Sequence, residues 1–163
     1  MSGIELVPAV VVEQINSGGI AVMPFKGDTN FSGGTARSIT SAVDRSGVLL
    51  PAPASVYQSE RYGNHSPFSY TFTGLTPNTF YTLRLHFAET YFSAPGRRSF
   101  NVSINGNPVL TNFDPGASAG GVLKAVIREF TASADSSGTI TVQYSVGSAN
   151  NPQSSAIELY SAH

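Results

Sequence analysis

The stretch Leu83-Arg84-Leu85-His86-Phe87-Ala88-Glu89-Thr90-Tyr91-Phe92 decides the fold. Apolar and polar residues alternate through its first half, which places Leu83, Leu85 and Phe87 on one face. A period of two is typical of a β-strand with one buried face. The alternation stops at Glu89, where turn-forming residues follow. The sequence therefore predicts a strand whose buried face contributes to a core and whose end lies near this position.

Two large aromatic residues, Tyr91 and Phe92, follow directly after the predicted strand. If both rings fill the end of the core, they are structural. If the chain has already left the sheet, both are exposed at a loop on a rigid scaffold, where aromatic faces bind the apolar faces of sugar rings. The local sequence leaves both interpretations open.

Further alternating or β-branched segments occur on both sides of this stretch, separated by turn signals such as Asn105-Gly106. Long runs of helical periodicity are lacking, so we expect an all-β fold, an antiparallel two-sheet β-sandwich of jelly-roll type. Residues 20–55 and 111–117 are expected to be loops. About nine strands are expected, at 9–15, 56–63, 68–72, 79–88, 99–104, 109–110, 122–131, 139–146 and 155–160.

Composition restricts the class of protein. Only 12% of the 163 residues are charged, which favours an extracellular β-protein. None is cysteine, which excludes a disulfide framework and leaves the compartment open. The net charge is -1, so nucleic acid is not an expected partner. The single adjacent basic pair, Arg97-Arg98, is interpreted as a solvated turn.

A membrane is also not an expected partner, because no run reaches the roughly 18 apolar residues of a spanning helix. The chain does not start with the charged and apolar regions of a signal peptide. We interpret residues 1–8 as a leader segment and residues 1–163 as a single domain. We expect it to be secreted or extracellular, as a module of a larger multidomain chain.

Four motifs, in order, resemble the malectin-like carbohydrate-binding modules, also called di-glucose-binding domains. Each is similar to a conserved block of that family, and together they extend over residues 11–160. They are Ile15-Asn16-Ser17-Gly18-Gly19, Tyr57-Gln58-Ser59-Glu60-Arg61-Tyr62-Gly63, the stretch 83–106, and Asn151-Pro152-Gln153-Ser154-Ser155-Ala156-Ile157-Glu158.

The resemblance implies non-catalytic binding of an oligosaccharide or polysaccharide by loops at one end of the sandwich. It implies that Tyr62, Tyr91 and Phe92 contact the sugar. The family's acidic position falls on Asn150, which donates and accepts but provides no charge-assisted bond. Phe31 is the match for an expected aromatic residue of the first long loop.

Several polar residues near these positions have two interpretations. Asn64 and His65 are candidate hydrogen-bonding partners of a ligand. Glu60 and Arg61 either bind the ligand or form a buried ion pair that holds the loop, with Glu89 as a candidate partner. A glycosidase would need two carboxylates across one bond, and nothing marks Glu60 and Glu89 as such a pair, so we expect no enzyme activity.

No cofactor is expected. The three histidines, His65, His86 and His163, lack the spacing of a transition-metal site. A structural calcium ion held by loop oxygens is left open. A function of another class is also left open, namely a protein–protein or adhesive module, which predicts an exposed apolar patch or a long unblocked edge strand.

Overall fold

Twelve strands form the regular β-structure of residues 9–161, which are the residues that this computed structural model describes. The predicted all-β class is confirmed. The expected number of strands was too low, because three additional short strands form around the loops. The strands are β1 (Val11–Asn16), β2 (Phe31–Ser32), β3 (Thr35–Ser38), β4 (Ser59–Tyr62), β5 (Phe68–Phe72), β6 (Phe80–Ala88), β7 (Ser99–Ile104), β8 (Asn107–Phe113), β9 (Ala125–Ser133), β10 (Ile140–Ala149), β11 (Gln153–Ser154) and β12 (Ala156–Ser161).

The expectation of a loop at 111–117 is wrong. Strand β8 continues through the first part of it, and a short helix, α1 (Pro115–Ala119), follows. The Asp114 side chain accepts a hydrogen bond from the Ala117 N–H at 3.2 Å and so caps the helix. Proline at the first helical position has no N–H to leave unpaired. A five-residue helix has too little periodicity to be recognised in the sequence.

Two large antiparallel sheets pack face to face, with strand orders β1-β12-β6-β9 and β2-β5-β10-β7-β8. Their inner faces share one apolar core, which confirms the β-sandwich. The jelly-roll connectivity stays a prediction. The fully buried side chains of this core include Leu83, Leu85, Phe87 and Ile157 from the first sheet, and Phe68, Tyr70, Phe72, Phe100, Ile140 and Tyr144 from the second.

Strand β6 is an inner strand of the first sheet, paired with β12 on one side and β9 on the other. The prediction that Leu83, Leu85 and Phe87 form core is confirmed, since all three are fully buried. Burial of one such side chain stabilises the fold by about 1.5–3 kcal/mol. Because β6 is paired on both sides and packed in the core, it fixes the position of the following residues 89–92 relative to the sandwich.

A small third sheet, with the order β11-β4-β3, lies beside the sandwich. The stretch expected as a strand at 56–63 starts as a 3-10 helix, Ala54–Gln58, and only β4 is extended. Because side chains alternate along β4, Glu60 and Tyr62 share one face and Arg61 takes the other. Gly18 lies against β4, where a Cβ atom would be 2.0 Å from the Glu60 carbonyl oxygen.

The outer face of the first sheet is covered by a second apolar cluster, and His86 lies beneath it with no exposed surface. An ionised Glu158 carboxylate can only accept, so His86 Nε2 carries a proton and donates it to Oε1 at 2.6 Å. Burial favours the neutral imidazole. In that form Nδ1 accepts the proton of the Tyr57 hydroxyl, 2.7 Å away, and the Tyr57 oxygen accepts the Ala52 N–H at 3.2 Å.

Burial lowers the pKa of His86 against the opposing effect of Glu158. Burial would raise the pKa of Glu158, but hydrogen bonds from His86, Tyr160 and Gln14 outweigh it and lower that pKa to about 2. Both folded-state pKa values lie below those of the unfolded chain, so acidification protonates the unfolded state first. Both groups therefore make the fold less stable as the pH falls.

Residues 1–8, interpreted as a leader, and His163 lie outside the described residues. The single-domain interpretation stays a prediction. None of the helices within residues 9–161 has the length and apolar composition needed to cross a bilayer.

We predict that the free energy of unfolding falls as the pH drops below about 6.5, the ordinary pKa of histidine, with a slope of up to about 1.4 kcal/mol per pH unit from His86. H86Q should be less stable overall and should have a flatter profile in this range, measured by urea denaturation at each pH. H65Q, at an exposed position, is the control and should keep the wild-type profile. An H86Q profile as steep as the wild type would contradict the assignment.

Candidate functional site

The Glu89 carboxylate turns the chain at the end of β6. Its Oε2 accepts the backbone N–H groups of Tyr91 at 3.0 Å and Phe92 at 3.3 Å. Arg98 donates to both oxygens, at 2.8 and 3.2 Å. Glu89 and Arg98 are buried, whereas Tyr91 is 64% exposed. The buried ion pair therefore supports a turn that directs an aromatic ring toward solvent.

Arg98 also joins two further loops to this turn. Its Nη1 donates to the Asn151 carbonyl at 2.7 Å, and the Asn151 side-chain oxygen accepts the His65 N–H at 2.8 Å. The interpretation of Arg97-Arg98 as a solvated turn is thus wrong for Arg98, although Arg97 is exposed. One guanidinium group holds three loop segments at the same end of the sandwich.

A second buried carboxylate, Glu60, lies beside the first. It accepts hydrogen bonds from Arg37 at 2.6 Å, Thr90 at 3.1 Å and Gln153 at 3.0 Å. Burial raises the pKa of Glu60, and the nearby guanidinium groups of Arg98 and Arg37 oppose that shift. Arg37 also donates to the Thr90 carbonyl and lies 5.2 Å from the centre of the Tyr91 ring.

These groups surround an open cavity of about 300 Å³. The volume is at the lower end of the range for small-molecule sites. Ring, hydroxyl, amide, imidazole and guanidinium groups line it, from Arg37, Glu60, Tyr62, Asn64, His65, Tyr91, Arg98, Asn150 and Asn151.

The malectin domain family model matches residues 11–158. The chain belongs to the malectin domain family. No curated protein matches this malectin domain in sequence.

Solved structures share the fold. The ANX2 ectodomain from Arabidopsis thaliana superposes with a TM-score of 0.81 at 18% identity, over 92% of this chain and 49% of that one. A chain in the structure of the plant peptide RALF23 in complex with FER and LLG2 gives 0.80 at 15% identity, over 92% and 48%. The malectin domain thus spans about half the length of these chains.

Bacteroides uniformis β-glucuronidase 2 also contains this fold. The TM-score is 0.71 at 15% identity, over 93% of the malectin domain and 18% of the glucuronidase chain. At these identities the likeness to all three structures is one of fold.

Six of the nine residues predicted for the site line the cavity of the malectin domain, and three do not. Those that line it are Glu60, Tyr62, Asn64, His65, Tyr91 and Asn150; those outside the lining are Phe31, Arg61 and Phe92. Phe92 packs edge-on against Tyr91, with ring centres 5.0 Å apart. Phe92 therefore packs against the exposed Tyr91 ring and helps to hold it in place.

Arg61 and Phe31 form a separate cluster. Arg61 is on the opposite face of β4 from Glu60 and Tyr62, so its guanidinium binds Asp28 at 2.8 Å and the Gly33 carbonyl at 3.0 Å. The group lies 3.5 Å from the centre of the Phe31 ring. Glu60 and Arg61 each form an ion pair, but the expected partners were wrong. Glu60 pairs with Arg37 and Arg61 pairs with Asp28, and neither contacts the other or Glu89 in an ion pair.

Three lining residues were not predicted from the sequence: Arg37, Arg98 and Asn151. Arg37 is on β3, within the stretch expected to be a loop, and no periodicity marks it. Asn151 follows the predicted site residue Asn150 directly, and this neighbourhood was the available signal. Arg98 was interpreted as part of a solvated turn together with Arg97.

Two residues at the cavity have left-handed backbones, His65 with φ of 57° and Asn150 with φ of 59°. Such conformations cost energy for non-glycine residues and cluster at functional sites. The Asn150 side-chain oxygen accepts the N–H of Asn151 at 2.8 Å. Its amide N–H groups have no partner among residues 9–161 and are available to a ligand.

A transition-metal site has no support within residues 9–161, where no three His, Cys, Asp or Glu side chains come together as a metal-binding group. The structural calcium ion stays an open expectation.

We predict that R98A lowers the free energy of unfolding by roughly 3–5 kcal/mol, because it leaves the buried Glu89 carboxylate without its charged partner. The matched control R97A removes an exposed guanidinium one residue away and should change stability by less than about 0.5 kcal/mol. Chemical denaturation measures both. Equal effects of the two substitutions would show that the Glu89–Arg98 pair does not hold the loops.

Proposed function

We propose that this malectin domain is a non-catalytic binding module and that its ligand binds in the cavity beside Tyr91. The observation that carries the proposal is an exposed aromatic ring held by a buried ion pair at the rim of a polar cavity. Prearranged aromatic and hydrogen-bonding groups on a rigid scaffold are the general design of a recognition site.

The chemistry of the cavity favours binding over hydrolysis. A glycosidase needs one carboxyl group to give a proton and another to attack or to activate water. Glu60 is buried and receives three hydrogen bonds, and the side chain of Glu89 is only 2% exposed and paired with Arg98. Neither carboxylate has free access to a substrate.

Two classes of ligand remain, and the comparisons give more support to a peptide or protein. Malectin-like chains of similar fold are ectodomains of plant receptor-like kinases, and one structure contains the peptide RALF23 with FER and LLG2. By analogy of fold, this domain recognises a partner protein or an extended peptide. The open cavity then receives one side chain or a chain end of the partner.

A glycan is the second candidate, and the cavity itself supports it. The space is small and bordered by amides, hydroxyl groups, an imidazole, one carboxylate and two guanidinium groups. Sugar hydroxyls need such planar donors and acceptors around an aromatic face. Arg37 uses three of its five N–H groups on Glu60 and Thr90, so two remain for a ligand.

We further propose that the domain works outside the cell as part of a larger protein. Several chains of the same fold are ectodomains about twice as long as the matched region. The low proportion of charged residues agrees with this location.

We predict that Y91A weakens binding to the preferred ligand by tenfold or more, about 1.4 kcal/mol. The measurement is a calorimetric titration against soluble oligosaccharides, polysaccharides and synthetic peptides. F80A is the matched control, because Phe80 is an exposed aromatic at the opposite end of the same strand, roughly 30 Å away. It should bind as the wild type does.

The panel also separates the two classes. Saturable binding of a glycan that Y91A weakens supports the glycan; the same result with a peptide supports the interaction module. If Y91A and F80A bind every ligand as the wild type does, the cavity is not the site.

A further inference from the structure

Strand β9 forms one edge of the first large sheet and has nine residues in continuous register with β6. The other edges of the two large sheets are shorter or interrupted. Strand β1 has a register shift and is partly covered by the backbone of Lys26, β2 has two residues, and β8 has two register shifts. Natural proteins usually protect a long, regular edge strand against pairing with another chain. An unprotected edge strand such as β9 therefore indicates a binding role.

The backbone groups along this edge alternate in direction. The Ala125 N–H points away from β6 and donates to the Asp44 carbonyl at 2.8 Å. In an antiparallel ladder every second residue faces the same way, so Ile127, Glu129 and Thr131 also direct their N–H and C=O groups outward. Arg128 caps the Ile127 carbonyl at 3.1 Å. The outward groups of Glu129 and Thr131 have no partner among residues 9–161.

An open groove of about 410 Å³ runs beside this edge. Val48 and Leu49 line it on the side of the outer sheet face, where Arg84 lies, and Ser118 and Ala119 line it from α1. Asp44 already pairs with Lys124 in parallel fashion at one end of the groove. The segment around Asp44 therefore pairs with the chain next to the start of β9 at a single bridge, and it does not continue along the edge of β9.

The wall of the groove carries an exposed apolar tip. Leu49 and Leu50 are 86% and 81% exposed, and Leu50 has a left-handed φ of 50°. Arg84 holds the tip by donating to the carbonyls of Leu49 at 2.7 Å and Leu50 at 3.1 Å. Folding stability does not explain a turn with a strained backbone that exposes two leucine side chains to solvent. Such features are typical of binding surfaces.

We propose that the outer edge of β9 is a docking site for an extended peptide segment of a partner protein, which adds to the sheet as a further strand. Backbone groups of Glu129 and Thr131 supply the new ladder, and Leu49 contacts an apolar side chain of the peptide. This surface shares no residue with the cavity beside Tyr91 and goes beyond the function proposed for it.

The test uses proline to remove one outward N–H. E129P deletes a backbone donor that is unpaired in the free domain, and proline is tolerated at sheet edges for that reason. E129A removes the same side chain and keeps the N–H, so it is the matched control. T131P is a second variant at the next outward position. Denaturation curves first establish that each variant is folded.

Random linear peptides displayed on phage are selected against the wild-type domain. The expected peptides bind the wild type, E129A and Y91A alike, lose at least tenfold in affinity on E129P or T131P, and slow amide hydrogen exchange at Glu129 and Thr131. Three results would overturn the proposal: no selected peptide, equal binding to the proline variants, or self-association of the free domain that E129P abolishes. Loss of peptide binding in Y91A alone assigns the peptide to the cavity and also overturns it.

Discussion

The arrangement of the loops around the cavity beside Tyr91 depends on the buried ion pair between Glu89 and Arg98. A buried pair of charges is stable only when both members keep their hydrogen bonds. Glu89 meets this condition by accepting from the backbone that follows it, and Arg98 by donating to the Asn151 carbonyl. The hydrogen bonds that offset the desolvation of the two charges thus also hold three loops around one cavity.

The second network, centred on Glu60, makes the same use of buried charge. Its oxygens are occupied by donors from β3, from the turn after β6 and from β11, which brings Arg37 beside the Tyr91 ring. Both oxygens of the Glu60 carboxylate are thus occupied by hydrogen bonds. The other polar groups around the cavity are amides, hydroxyls, an imidazole and guanidinium groups, a set suited to recognition.

The sequence predicted those features that local periodicity determines. The buried face of β6 follows from alternation, and the turn after it follows from the break at Glu89. The partners of the buried charges could not be predicted, since Arg37 joins Glu60 from a strand distant in sequence. Arg61 was grouped with its neighbours although the alternation of β4 places it with Phe31. Helix α1 was missed because Asp114-Pro115-Gly116 is equally typical of a turn.

The central claim is that the cavity beside Tyr91 binds the ligand. Amide chemical-shift mapping tests it most directly, by titrating the isotopically labelled domain with the tightest ligand of the glycan and peptide panel. The account predicts that the largest shifts occur at Asn64, His65, Tyr91 and Asn150, with saturation. Saturating shifts confined to other surfaces, with these four amides unmoved, would contradict it.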